Sequence, residues 1–501
     1  MGQYLLGIDN GGSEIKCVLF DLSGKEIGKA SERVQMNLPR PGFTERDSEQ
    51  LWRANVSAIH TVLKKAGIEG TDVRAVGLTG YGNGICLVDE KGAATYPCIV
   101  STDTRAENYS VRFRANGVGR KIYPRTRQNI WSAQPAALLP WFRDNLPDVI
   151  KCSARCLGIK DFIRFKLTGI FMTELTEASS TCLCDLDTKR FSPEIFEALG
   201  IGGYERLMPP IAGSTEITGA VTEAAAKETG LTAGTPVAGG YFDIDAGAFA
   251  SGVLSEDILC LIAGTWSINE HLAKKANTDA DKNHNTTTLS YLPGYFMAED
   301  SSATSASNFD WFVDQLMRQG RKDLSLNQLY RECDAVMEQL VGQDNGVVFV
   351  PYLFDSSTVS GGKAAFFNLS GYNTRAHMLQ AVYEGVVFST MLHVSNLCYD
   401  GRKYEAARLS GGVTKSCVWT QMMADALQMK IEVPRGEELS AMGAAMGAAV
   451  AAGLYKNERQ AVANMVQIDK IYVPDPGKKD IYQKKYENFS KALKALAIFH
   501  A

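Results

Sequence analysis

The chain has 501 residues, 45% hydrophobic and 22% charged, which is enough apolar material for two or more cores. Its 52 Lys and Arg against 56 Asp and Glu leave a net charge of −4, so nothing pulls it generally toward nucleic acid or acidic membranes. No run of about twenty apolar residues predicts a membrane span, no basic and apolar leader predicts secretion, and eleven cysteines without a CxxC predict reduced, buried thiols in a cytoplasmic protein.

The opening stretch predicts a hairpin. Leu5, Leu6 and Ile8 lead into Asp9, and Ile15, Cys17, Val18, Leu19 and Phe20 follow the turn Asn10-Gly11-Gly12-Ser13. Alternating apolar residues on both sides of a Gly-Gly turn carry that signal. Glycines without a Cβ let backbone N–H groups converge on one point, which suits a phosphate oxygen. Asp9, at the mouth of the turn, either caps it or holds Mg2+ through water. A third strand is expected over Glu26 to Val34. Ser48 to Ala66 is a predicted helix, with Leu51, Ala58, Ile59, Val62 and Leu63 at helical spacing, Ser48 as N-cap and Gly67 as C-cap. Val73 to Leu78 reads as a buried strand entering Thr79-Gly80-Tyr81-Gly82-Asn83-Gly84.

The second half echoes the first. Asp257 to Leu272 again places a small-residue turn, Ala263-Gly264-Thr265, between two apolar runs. The glycines Gly12 and Gly264 lie about half the chain apart, which predicts an internal duplication into two α/β domains, 1–250 and 251–501. Between the two hairpins, a strand ending at Gly239-Gly240 runs into Phe242-Asp243-Ile244-Asp245 and the small residues Ala246-Gly247-Ala248. Asp243 or Asp245 there either N-caps a helix or receives a proton from a bound hydroxyl. Further on, Val347 to Tyr352 and Ala407 to Leu409 are predicted strands, and the latter enters Gly411-Gly412, whose flat backbone suits a planar ring. No P-loop and no GxGxxG fingerprint is present.

Taken in order, these segments resemble the FGGY carbohydrate kinases of the actin-like ATPase superfamily. The resemblance runs over nearly the whole chain, through Gly7 to Lys16, Pro41 to Asp47, Pro135 to Asn145 with Trp141, Lys160 to Gly169, Thr173 to Asp185, Ala263 to Thr265 and Gly411 to Asp425. It departs from the family pattern at Phe43 and Leu138, where Trp and Lys are usual. It implies two duplicated actin-like (ribonuclease H-like) α/β domains with an interdomain cleft. It also implies ATP and Mg2+, a sugar as the small-molecule partner, and a fold in which a homodimer is allowed.

The roles implied by the resemblance are specific. Asp243 is the expected catalytic base and Asp9 the metal residue. Gly11, Gly12, Ser13, Lys16, Gly264 and Thr265 are expected at the phosphates, and Gly411, Gly412 and Ser416 at the adenine. Tyr81, Asn83, Asp103 and Asp243 are expected at the sugar, with Arg105 as a brace or a second contact. L-xylulose is the first expectation for the sugar. D-xylulose, a pentitol or tetritol, glycerol and a keto-sugar acid are the alternatives, and an actin- or chaperone-like ATPase is the rival of another class.

Overall fold

Apolar alternation on both sides of the glycine turn closes the antiparallel hairpin of Tyr4–Asn10 and Ile15–Asp21, continued by the strand Glu26–Glu32. The computed structural model describes residues 3–279, 285–321, 323–354, 356, 358–359 and 361–500. The helix Ser48–Ala66 has its expected bounds, but Asp47 rather than Ser48 is its N-cap. The Asp47 carboxylate accepts from Gln50 N–H at 2.8 Å, satisfying one of the free first-turn donors. Gly67, at φ 65°, ends the helix.

The chain divides into two compact units, each with its own sheet. The first comprises Met1–Leu254, Ala273–Met297 and Gly436–Val466; the second comprises Ser255–Leu272, Ala298–Arg435 and Gln467–Ala501. The expected halves, 1–250 and 251–501, therefore meet close to the first crossing, but two later segments return to the first unit.

In the first unit the sheet runs Glu26–Glu32, Ile15–Asp21, Tyr4–Asn10, Val73–Gly80, Pro236–Ala238, Ile217–Ala220. The first three are antiparallel, the next two run parallel to Tyr4–Asn10, and the last is antiparallel again. The second unit repeats this order as Phe296–Ser302, Ser267–Ala273, Ile258–Ala263, Ala406–Ser410, Lys430–Pro434, Ile468–Tyr472. From Ser267–Ala273 to Ile468–Tyr472 the parallel and antiparallel pairs fall at the same places. The duplication expected from two glycine turns is thus a duplication of sheet topology.

A helix from late in the chain, Leu439–Ala451, is rich in alanine and glycine and packs on the first sheet. Its backbone comes so close that a Cβ on Gly7 would lie 2.0 Å from the Ala441 carbonyl oxygen, and one on Gly77 would lie 1.9 Å from that of Ala444. Only glycine permits that approach.

One expectation about cysteine is overturned. Cys86 and Cys98 form a disulfide, with Cα atoms 4.4 Å apart. The bridge between Ile85 and Ile99 brings the two cysteines onto neighbouring backbone. The other described cysteines are free. Among the described residues no helix is long and apolar enough to cross a membrane.

Candidate active site

Three adjacent parallel strands of the first unit end together. On Val73–Gly80, Thr79 lies opposite Asp9 on one side and Tyr241 on the other, while Gly80 lies opposite Asn10 and Phe242. Asp9, the Tyr81–Gly84 loop and Asp243 therefore emerge at one edge of one sheet. The carboxyl ends of parallel strands are where open α/β sheets bind their ligands.

Asp9 sits one rung before the turn, directly across from Lys16. One carboxylate oxygen, Oδ1, is buried and has no hydrogen-bond partner. Burial raises its carboxyl from 3.8 to about 6; the Lys16 charge opposes this and Glu438 adds to it. A buried acceptor without a donor fits a cation or a cation-bound water, which agrees with the metal role expected of it. Lys16 is tied to Glu438 by an ion pair of 2.7 Å. Burial pulls the Lys16 ammonium down, but the bond to Glu438 and the charges of Glu438, Asp9 and Glu14 together outweigh it and leave the group above its usual value. Glu438 precedes the small-residue helix Leu439–Ala451. A carboxylate just before a small-residue helix is the very signal that singled out Asp243, and it could have singled out Glu438 as well.

Arg46 holds the first turn. Its buried guanidinium donates to the carbonyl oxygens of Gly11, at 3.2 Å, and Gly12. Both carbonyls of the turn are thereby held toward Arg46. Ser13 is exposed at its tip. Arg46 lies within the segment Pro41 to Asp47 that carries part of the resemblance, yet no feature of the sequence assigned it a role.

In the sugar-loop candidate, the Tyr81 hydroxyl and Asn83 Oδ1 are both buried without partners. Burial pushes the Tyr81 hydroxyl up to about 12, partly offset by Arg46. Asn83 has φ 66°, a strained setting for a residue other than glycine, of the kind that gathers at binding sites. A Cβ on Gly82 would lie 2.4 Å from the Phe242 ring, so that ring, beside Asp243, takes the space a larger residue would fill. Asp103 is placed differently. It is fully buried, and its oxygens accept from Thr44 N–H and from the backbone and guanidinium of Arg105 at 2.6 to 2.9 Å. Arg105 also pairs with Glu45 at 2.8 Å and lies over the Phe43 and Trp141 rings. Asp103 and Arg105 thus brace each other, and no oxygen of Asp103 faces solvent.

Asp243 opens the helix Asp243–Ala250, whose N-cap is Phe242 and whose first turn has no side-chain cap. Asp243 is half-buried, whereas Asp245 is buried and accepts from Tyr291 N–H at 3.1 Å. Neither carboxylate is the N-cap, the alternative open from sequence. Ser440 Oγ donates to the Asp243 carbonyl at 3.4 Å.

The second unit carries the other turn. Gly264 and the exposed Thr265 link Ile258–Ala263 to Ser267–Ala273. Their carbonyls accept from Ala306 N–H at 3.0 Å and Ser307 Oγ at 3.1 Å. Gly411, at φ 95°, lies so close to this turn that a Cβ would sit 2.5 Å from the Ala263 carbonyl oxygen. Gly412 is exposed beside it. Ser416 caps the helix Cys417–Leu427, accepting from Trp419 N–H at 3.1 Å, and donates to Asp334 at 2.6 Å.

Residues 4–250 match the N-terminal domain of the FGGY family of carbohydrate kinases, and residues 259–452 match its C-terminal domain. The chain is 32% identical to the L-xylulose/3-keto-L-gulonate kinase of Escherichia coli, over 100% of this chain and 99% of that protein. It is 32% identical to a probable L-xylulose kinase of Pasteurella multocida, over 99% of each. The crystal structure of xylulose kinase from Rhodospirillum rubrum superposes with a TM-score of 0.88 at 26% identity, over 99% of this chain and 100% of that one.

Proposed function

Because this chain belongs to the FGGY family of carbohydrate kinases, phosphotransferases with a sugar hydroxyl as acceptor, we propose that it moves the γ-phosphate of ATP to a hydroxyl of a ketopentose, with L-xylulose as the first choice. The observation that carries the reading is the convergence of Asp9, the Tyr81–Asn83 loop and Asp243 at the ends of three neighbouring strands, with buried polar atoms at Asp9, Tyr81 and Asn83 lacking partners. Such atoms are costly unless a ligand completes them. D-xylulose, a pentitol or tetritol, glycerol and a keto-sugar acid remain the competing substrates, and the cytoplasm is the compartment that fits ATP and a metabolic sugar.

Phosphoryl transfer depends on positioning and charge neutralisation more than on covalent chemistry. Asp243 accepts the proton of the attacking hydroxyl as the bond to phosphorus forms. The N–H groups of the Gly11-Gly12 turn take phosphate oxygens, with Ser13 at its tip. The Gly264-Thr265 turn and Gly411-Gly412 are the corresponding nucleotide contacts of the second unit. Asp9 is the residue that would hold Mg2+, which would neutralise phosphate charge when bound, and Lys16 adds its charge at the phosphates. Tyr81 and Asn83 pair with sugar hydroxyls, and an analogue lacking those hydroxyls leaves them unpaired and is rejected. Asp103 and Arg105 shape the loop behind them.

The test is ADP release measured over L-xylulose, D-xylulose, pentitols, glycerol and 3-keto-sugar acids. The expected outcome is the highest kcat/KM on L-xylulose. A best substrate elsewhere in the panel replaces that sugar, and ADP release that no sugar stimulates sinks the reading in favour of an actin- or chaperone-like ATPase.

A further inference from the structure

Behind Asp243 lies a buried chain of polar groups that the mechanism above does not use. The Lys160 and Glu174 side chains, both fully buried, form an ion pair of 3.1 Å. Lys160 also meets Asp161 at 2.8 Å. The Glu174 carboxylate accepts from the N–H groups of Thr176 and Glu177, each at 2.8 Å, and from Ser214 Oγ at 2.6 Å. With N–H and ammonium donors converging on it, this carboxylate is the acceptor toward Thr176. The Thr176 hydroxyl therefore donates its hydrogen to Glu174 at 2.8 Å. Its lone pair is left to accept Phe242 N–H, also at 2.8 Å. The direction of this chain is set by the charges at its far end.

The segment leading to Asp243 is held at nearly every residue. Arg164 donates to the Gly239 carbonyl at 2.7 Å. Gly240 N–H reaches the Ser214 carbonyl at 3.1 Å. Thr79 Oγ1 donates to the Tyr241 carbonyl at 2.8 Å. The contact nearest Asp243 on its N-terminal side is the one from Thr176. Phe242 is the N-cap of the helix that Asp243 opens, so the position of its N–H governs where the Asp243 side chain starts. Buried ion pairs contribute little net stability and are better attested where they specify one arrangement.

We propose that Thr176, oriented by the Glu174–Lys160 pair, is a positioning residue that aims the Asp243 carboxylate and so sets the rate of phosphoryl transfer without touching ATP or sugar. The proposal rests on the reading of Asp243 as the base. A misplacement of about 1 Å is enough to cost roughly a hundredfold in rate.

The experiment compares full-length wild type with Thr176→Val, Thr176→Ser, Asp243→Asn and the Thr176→Val/Asp243→Asn double variant. ADP release is measured with the fastest sugar of the panel. Expected for Thr176→Val is a kcat lower by about tenfold or more, a KM for ATP within about twofold, and a shifted acid limb of the kcat–pH profile. Thr176→Ser, which keeps the hydroxyl, stays within about twofold of wild type. In the Asp243→Asn background the Val change alters the residual rate by less than about twofold, since a group acting through Asp243 has nothing left to aim. Thr176→Val near wild-type kcat, with Asp243→Asn inactive, overturns the proposal and leaves the base in place. So does an unmoved acid limb, or a further additive loss in the double variant. Asp243→Asn near wild-type activity removes the base, and the proposal with it. Where Thr176→Val does not fold, Thr176→Ala takes its place under the same criteria.

Discussion

The two hairpin turns share a topology and differ in chemistry. In the first, the rung before the turn pairs Asp9 with Lys16. Counted back from the last paired residues, the same rung of the second pairs Ile262 with Ile268. The first turn is pinned by a buried cation, Arg46, and flanked by the Lys16–Glu438 ion pair. The second is pinned by a backbone amide, a serine hydroxyl and the close approach of Gly411. The repeat keeps the hairpin and its glycine turn, because these depend on strand pairing and glycine alone, although in the second turn Gly264 N–H donates to the Trp266 carbonyl at 3.1 Å. Charge need be supplied only once, so one copy of the repeat carries the ionisable apparatus and the other offers an uncharged cradle.

The largest expected effect tests whether the chemistry resides in the first unit. Asp243→Asn should lower kcat by at least about a hundredfold while leaving the KM for ATP nearly unchanged, the usual scale of a lost general base. Steady-state kinetics with the best sugar decides it. Next comes the buried cation of the first turn. Arg46→Lys cannot hold two carbonyls with one planar fork, and losing a charged hydrogen bond worth about 1.5 kcal/mol or more predicts a KM for ATP raised about tenfold. An unchanged KM would mean that the turn keeps its shape without Arg46.

The glycines sharpen the contrast in the second unit. Gly411→Ala meets backbone atoms and a left-handed φ, so it should destabilise by more than about 1 kcal/mol. A Cβ on Gly264 meets nothing within 4 Å, so Gly264→Ala should leave stability within about 0.5 kcal/mol and show its cost in nucleotide affinity. Thermal melts and ADP titrations of the two variants separate these outcomes.

A further expectation, read in stability rather than rate, concerns the buried charges behind Asp243. Burial raises the Glu177 carboxyl from 4.5 to about 8, with Lys160 opposing the rise and Asp161 and Glu174 adding to it. A carboxyl raised on folding contributes stability that is complete below 4.5 and lost as pH rises through about 8. Wild type should therefore lose Tm relative to Glu177→Gln between pH 5 and 8 and run parallel to it above that. A Tm difference that does not change with pH contradicts the assignment.

Much of this was legible in the residues. Both hairpins, the helix Ser48–Ala66 and the strand into Tyr81 follow from local periodicity and glycine placement, which act within a few residues. Asp9 and Asp243 were legible because each sits where a strand meets a turn or a small-residue helix. Arg46 was not, since it acts on carbonyls 34 and 35 residues away. Glu438 meets Lys16 across 422 residues. Asp103 was expected at the sugar through the resemblance alone, and that its oxygens accept from Thr44 and Arg105 depends on contacts no local pattern encodes. The Cys86–Cys98 disulfide likewise depends on a strand pairing that no spacing rule predicts.

By itself, then, the chain's sequence determined two repeated α/β units, their glycine turns and the carboxylates at the strand ends, because periodicity and turn chemistry are local. Only the tertiary structure decided which charged side chains serve which turn, that a late helix returns to the first sheet, and that Thr176 lies behind Asp243. Those choices depend on which distant segments desolvate one another, and burial of that kind is a property of the packed molecule rather than of any stretch of it.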